Sequence, residues 1–187
     1  MQNLETYKLK GHLIVECKNK NGEVIDRYEN NNLIMDAARV AMSQMTAGLS
    51  NSSEINKFVL GTQGHLGNDY LNPKTEADGF VGTRTQLFSE ESLAYNYPIS
   101  FDTPGTPTGL CPIVSEADSG SIISINYSDK SVEYTIEIFE ESANGTGVAV
   151  FTEAALYSGT NIFSMKCFPG KIKDNTVSLK IVWKILF

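Results

Sequence analysis

The chain has 187 residues and a mass of 20.5 kDa, which is enough for one domain that buries its own core without disulfides or metal. Its net charge is -7 and its 15 basic residues are scattered, with pairs such as Lys8/Lys10, Lys18/Lys20 and Lys171/Lys173 as the densest groups. That pattern lacks the clustered cations that phosphate binding requires, so no nucleic-acid partner is expected. No run approaches the roughly 20 apolar residues of a bilayer-spanning helix, and Met1 to Lys8 contains no apolar signal core, so no membrane partner and synthesis in a cytoplasm are expected.

In chain order, Tyr7, Leu9, Gly11, Leu13, Val15 and Cys17 alternate with mostly polar residues, the period of a half-buried strand. Asn19 to Gly22 supplies a hairpin turn, because Asn-Gly accepts the positive φ angles that tight hairpins require. The return strand is expected over Glu23–Glu29. Asn30, Asn31 and Asn32 are N-cap candidates for a helix near 33–47, where Ile34, Ala37, Ala38, Ala41, Met42 and Met45 form one apolar stripe. The many alanines on that stripe imply close approach to a sheet. Lys57 to Gly61 reads as a short buried strand.

From about 62 to 119 the periodicity fades and five of the six prolines occur. So long a stretch is read as an extended loop or arm, with Thr85–Phe88 and Tyr95–Phe101 as candidate short strands. Regular alternation returns with Ile122–Tyr127, Val132–Ile138 and Val148–Thr152, then Asn161–Phe168, ended by Pro169-Gly170. The last strand is the clearest: Val177, Leu179, Ile181, Trp183, Ile185 and Phe187 share one face. The expected fold is mainly β: a single antiparallel β-sandwich over 1–187, jelly-roll-like, with one helix and an arm inserted at about 62–119.

Chemistry-bearing residues do not assemble into a recognisable constellation. His12 lies on the polar face of the first strand, and His65 lies in the glycine-rich Gly61 to Gly67 loop. A hydrolase would have to use one of them, and no Gly-x-Ser-x-Gly elbow presents a serine. Cys17, Cys111 and Cys167 are widely spaced, without the close Cys/His pairs of a zinc site, and are expected as reduced thiols. The glycine loop is not followed by a helix start or a Walker lysine, so turn formation is the expected role. Glu90/Glu91 and Glu140/Glu141, taken as neighbours on strands, would point to opposite faces and cannot flank one glycosidic bond. Glu116 and Asp118 lack the spacing of a calcium loop. Asn51, Asn126 and Asn144 begin glycosylation-type triplets that carry no weight without a secretory signal. No catalytic, cofactor-binding or metal residue is assigned, and an enzyme is not expected.

The C-terminal third resembles small structural proteins of tailed bacteriophages, of the tail-fibre, collar or baseplate-associated type. Three segments carry the resemblance: Val150 to Tyr157, Asn161 to Pro169 with its aromatic strand ending in Phe-Pro, and the closing strand Val177 to Phe187. The hairpin, the Asn32-Leu33-Ile34 start of the Ala-rich helix, and Ile55 to Thr62 follow the same layout. Gly170 departs from it, standing where the family has a second proline. The resemblance implies a non-enzymatic virion subunit, homo-oligomeric and in contact with other virion proteins. The alternative is a carbohydrate-binding sandwich module of a tail fibre, with Tyr70, Tyr95, Tyr97 and Trp183 as its aromatic surface and a surface glycan as partner.

Overall fold

The computed structural model describes residues 9–48, 54–100, 113–115, 118–128 and 130–187. The strands are β1 (Lys10–Asn19), β2 (Val24–Ile34), β3 (Ile55–Gly61), β4 (His65–Leu66), β5 (Asp69–Pro73) and β6 (Asn96–Ser100). They continue as β7 (Ile113–Ser115), β8 (Asp118–Ser128), β9 (Ser131–Ile138), β10 (Val148–Ser158), β11 (Asn161–Asp174) and β12 (Val177–Leu186). Helix α1 spans Asp36–Thr46 and the one-turn α2 spans Phe88–Glu91. Ten strands pair antiparallel in the order β6-β3-β10-β11-β2-β1-β12-β9-β8-β7, and β4-β5 is a separate hairpin. The mainly β sandwich expected from the alternation is the architecture found.

Strand β2 is the corner of the sandwich. Its first part pairs with β1, and its last residues, Leu33 and Ile34, pair with Met165 and Ser164 of β11. One sheet is thereby β7-β8-β9-β12-β1-β2 and the other is β2-β11-β10-β3-β6. Between them lies one core, built from Leu13, Val15, Ile181 and Trp183 on one side and Phe58, Leu60, Phe151 and Leu156 on the other. Trp183 meets Phe58 edge-on at 6.2 Å and directs its Nε1–H to Ser164 Oγ at 3.3 Å.

The β1–β2 turn is held by Asn19, whose Oδ1 accepts N–H groups of Asn21 (2.9 Å) and Glu23 (3.0 Å). Asn30 to Asn32 are not helix caps: they lie within β2 opposite Leu13, His12 and Gly11. A long β1 needs a long partner, and ladder hydrogen bonds along its whole length outweigh one cap. Helix α1 therefore starts later, with Ala38 and Ala41 buried against the core beside β11. Of the two candidate strands in the middle, Tyr95–Phe101 overlaps β6, with Phe101 outside the described residues, whereas Thr85 to Leu87 is loop leading into α2, which Phe88 begins.

Strand β11 does not stop at Pro169-Gly170. It runs on to Asp174 through a bulge, where Phe151 faces Lys171 and Glu153 faces Cys167. Proline is tolerated at such a bulge because the ladder hydrogen bond is already interrupted there. Gly170 has a local reason of its own. A Cβ at this position would lie 2.8 Å from Val150 Cγ1 and 3.0 Å from Tyr70 Cβ, so only glycine lets the β4–β5 hairpin rest on the sheet.

Candidate functional site

The outer face of the second sheet carries the most unusual side chain in the molecule. Glu153 sits in an apolar stretch of β10 and is 0% exposed. Its Oε2 accepts the Phe88 N–H at 2.9 Å, and its Oε1 accepts the Ser89 N–H at 2.7 Å and the Ser89 hydroxyl. The carboxylate thus occupies the start of α2, where backbone donors would otherwise be orphaned. Burial pushes the Glu153 carboxyl above its usual range, while the Ser89, Phe88 and Gln63 donors pull it partly back.

Ser89 passes the connection on, since its Oγ also accepts the N–H groups of Thr62 (2.6 Å) and Gln63 (3.1 Å). The glycine-rich loop wraps this point. Cβ atoms at Gly61 and Gly64 would fall 2.4 Å from Ser89 Oγ and 2.5 Å from the Thr152 carbonyl oxygen, respectively. These glycines cradle an internal carboxylate rather than a phosphate. Tyr157 donates its hydroxyl to Glu90, and burial, then Glu90, pushes that phenol up. The Phe88 ring lies 3.9 Å from Lys74 Nζ and 3.6 Å from the Arg84 guanidinium carbon.

Beside this anchor lies a cleft of about 460 Å³. Tyr70 and Tyr95, 47% and 40% exposed, line it with Thr62, Gln63, Thr146 and Val148. Both rings are held from behind. Tyr70 meets His65 edge-on at 4.6 Å, and Tyr95 leans on Phe151 at 6.0 Å while its hydroxyl accepts the Gly145 N–H at 3.2 Å. Tyr97 and Trp183, the other two aromatic candidates, are core residues.

A second cavity, of about 300 Å³, opens near the far end of β10, where Ser158 pairs with Ile55. Met42, Ile55, Val132, Phe163, Ile185 and Phe187 supply most of its apolar wall, and Phe187 is 51% exposed. Strand β12 is central, between β1 and β9, and Phe187, which follows it, stands at this rim.

The remaining sequence candidates stay apart. His12 pairs with Glu29 at 3.0 Å on the partly exposed face of β1. His65 is 6% exposed, and neither ring nitrogen has a hydrogen-bond partner among the described residues. Glu90 and Glu91 belong to a helix rather than a strand. Glu90 accepts the Leu87 N–H and Glu91 pairs with Arg84 at 2.6 Å, so the two carboxylates are separately engaged. Glu140 contributes its carbonyl oxygen to Lys173. Asp118 begins β8, while Glu116, Cys111 and Asn51 lie outside the described residues. Among the described residues, no three His, Cys, Asp or Glu side chains gather as a metal site.

Cys17 faces the inter-sheet core and Cys167 the outer cluster, so the two thiols cannot meet. Burial, with Asp26 adding to it, pushes the Cys17 thiol up to about 11, and burial and Glu153 push Cys167 up as well. The thiolate is the reactive form. In a Cys111→Ser variant, both thiols are therefore expected to resist a disulfide reagent until denaturant is added and then to react together. One fast thiol in native buffer would contradict this placement.

Sequence reasoning missed Glu153 and Ser89. The available signal was a lone acid inside the apolar run Val148 to Tyr157, which asks for a partner elsewhere. Lys171 and Lys173, which the sequence shows only as a basic pair, are also engaged inside the fold. Lys171 pairs with Asp26 at 2.7 Å, and Lys173, 0% exposed, donates to Glu140 O, Asn144 Oδ1 and Asp174 O at 2.7–2.9 Å. No family model, curated protein or solved structure matches the chain.

Proposed function

We propose that the chain is a non-enzymatic structural subunit of a tailed-bacteriophage particle, placed in the tail, neck or baseplate and acting through protein–protein contacts. Supporting this reading is the way the groups capable of chemistry are used. Glu153, Ser89, Lys171 and Lys173 are all engaged in holding the fold, and the buried cysteines face different clusters. The observation that carries the reading is the apolar hollow at the end of the sandwich, rimmed by half-exposed Phe187. An apolar surface of this kind is what a neighbouring subunit covers in an assembled particle. The partner is a second copy of this chain or another virion protein with a matching apolar side chain.

Light scattering on the purified chain, with negative-stain imaging of the same sample, tests the proposal. Closed oligomers are expected, and Phe187→Asp is expected to shift them to monomers that still fold, because Phe187 is half in solvent in the single chain. A wild-type chain that stays monomeric at high concentration, both alone and with other particle proteins, would overturn the reading.

A further inference from the structure

We infer that the cleft between Tyr70 and Tyr95 is a binding site for a neutral saccharide. This goes beyond the assembly reading and does not depend on it. The cleft borders Val148 at the start of β10, and the apolar hollow lies by Ser158 at the strand's other end, roughly 30 Å away at the usual rise per residue. One end can bind a ligand while the other is covered by a neighbour.

Three properties of the lining favour a sugar. No residue of the wall carries a charge, which excludes a site built for phosphates, carboxylates or cations. Two aromatic rings stand at its sides, and aromatic faces take up the C–H face of a pyranose ring. Between them, Thr62, Gln63 and Thr146 bring hydroxyl and carboxamide groups that can match the hydroxylated rim of the same ring. The volume of about 460 Å³ falls within the range of small-ligand clefts.

The cleft is also pre-organised. His65 and Phe151 back the two rings, the Thr62 hydroxyl is bound to the Tyr95 carbonyl oxygen at 2.9 Å, and Ser89 fixes the Thr62 and Gln63 backbone. A wall already in its binding conformation spends little free energy on ordering.

The experiment is binding of the full chain to immobilised neutral oligosaccharides of hexose and N-acetylhexosamine, with sialylated and sulfated glycans alongside. Binding to at least one neutral glycan, little changed by salt, is expected. Tyr70→Ala and Tyr95→Ala are each expected to weaken it about tenfold or more. Trp183 fluorescence checks that the variants fold. Val148→Lys supplies a second test, since it places a charge in the cleft at an already exposed position opposite Asp174. No binding to any neutral glycan, binding only to acidic ones, or affinity unchanged in all three variants would overturn the inference.

Discussion

Glu153→Ala is expected to lower unfolding free energy by about 3 kcal/mol or more, because it strands buried backbone donors that now share one carboxylate. The loss is not spread evenly. Glu153 ties β10 to Phe88 and Ser89, and Ser89 ties both to Thr62 and Gln63. Amide exchange should therefore quicken first in residues 62–94, while β12, paired on both sides, keeps its protection. If β12 amides lost protection in step with that segment, Glu153 would be a general core residue and not a staple.

The pH dependence has a definite sign. Burial raises the Glu153 pKa in the folded chain above its ordinary value of 4.5, so between these values the folded state holds more proton than the unfolded one. Stability from this group is fully present below the unfolded pKa and is lost as pH rises through the folded pKa. A Glu153→Gln variant lacks that titration. The stability difference, wild type minus Glu153→Gln, should therefore grow as pH falls from neutral towards 4.5. A difference that shrinks over the same range would mean that the hydrogen bonds from Phe88, Ser89 and Gln63 outweigh the burial penalty.

How much of this was legible depends on whether the pleat is unbroken. Strands β1 and β12 pair without interruption from Lys10↔Leu186 to Asn19↔Val177, and their alternation in sequence gives the buried face directly. Strand β11 has no such regularity. Its register against β10 shifts around Pro169-Gly170, and a shift of this kind reverses which face every later residue occupies. Strict alternation from Phe168 would bury Gly170 and Ile172. The bulge instead turns Lys171 and Lys173 inward and leaves Ile172 on the surface. A second shift, near Leu156 and Tyr157, separates Phe163, in the inter-sheet core, from Met165 and Cys167, in the outer cluster. Strict alternation would place all three on one face.

Residues 62–94 were illegible for another reason. Their order comes from a few polar contacts between distant positions, such as the Glu153 carboxylate with Phe88 and Ser89, or the Gly64 N–H with Thr152 Oγ1 at 2.9 Å. Such contacts leave no periodic trace. The glycines did leave one, but their spacing resembles a phosphate loop as readily as a wrap around a carboxylate. The cleft was half legible: Tyr70 and Tyr95 stood out as aromatic surface, but Tyr97 looked the same in sequence and is buried, because β6 pairs with β3 and turns it inward.

Trp183→Ala is expected to give the largest loss of stability of any single change in the core, about 3–5 kcal/mol. Against a typical domain stability of roughly 5–15 kcal/mol, that would bring the chain near the folding threshold. The side chain is fully buried in the middle of β12 and reaches across the sandwich to Phe58. Its Nε1–H meets Ser164, whose own hydroxyl donates to the Leu33 carbonyl oxygen at 3.0 Å. That contact falls where β2 leaves one sheet and joins the other, so Trp183 braces the corner as well as filling the core. The two roles separate experimentally. Ser164→Ala removes only the polar brace and should cost about 1 kcal/mol. Trp183→Phe keeps most of the volume, loses the brace, and should fall between the other two. Denaturant titration followed by far-UV circular dichroism reads all three variants. For Ser164→Ala, Trp183, the only tryptophan in the chain, provides a second signal. Equal losses from Ser164→Ala and Trp183→Ala would mean that the corner, and not the volume of the indole, holds the two sheets together.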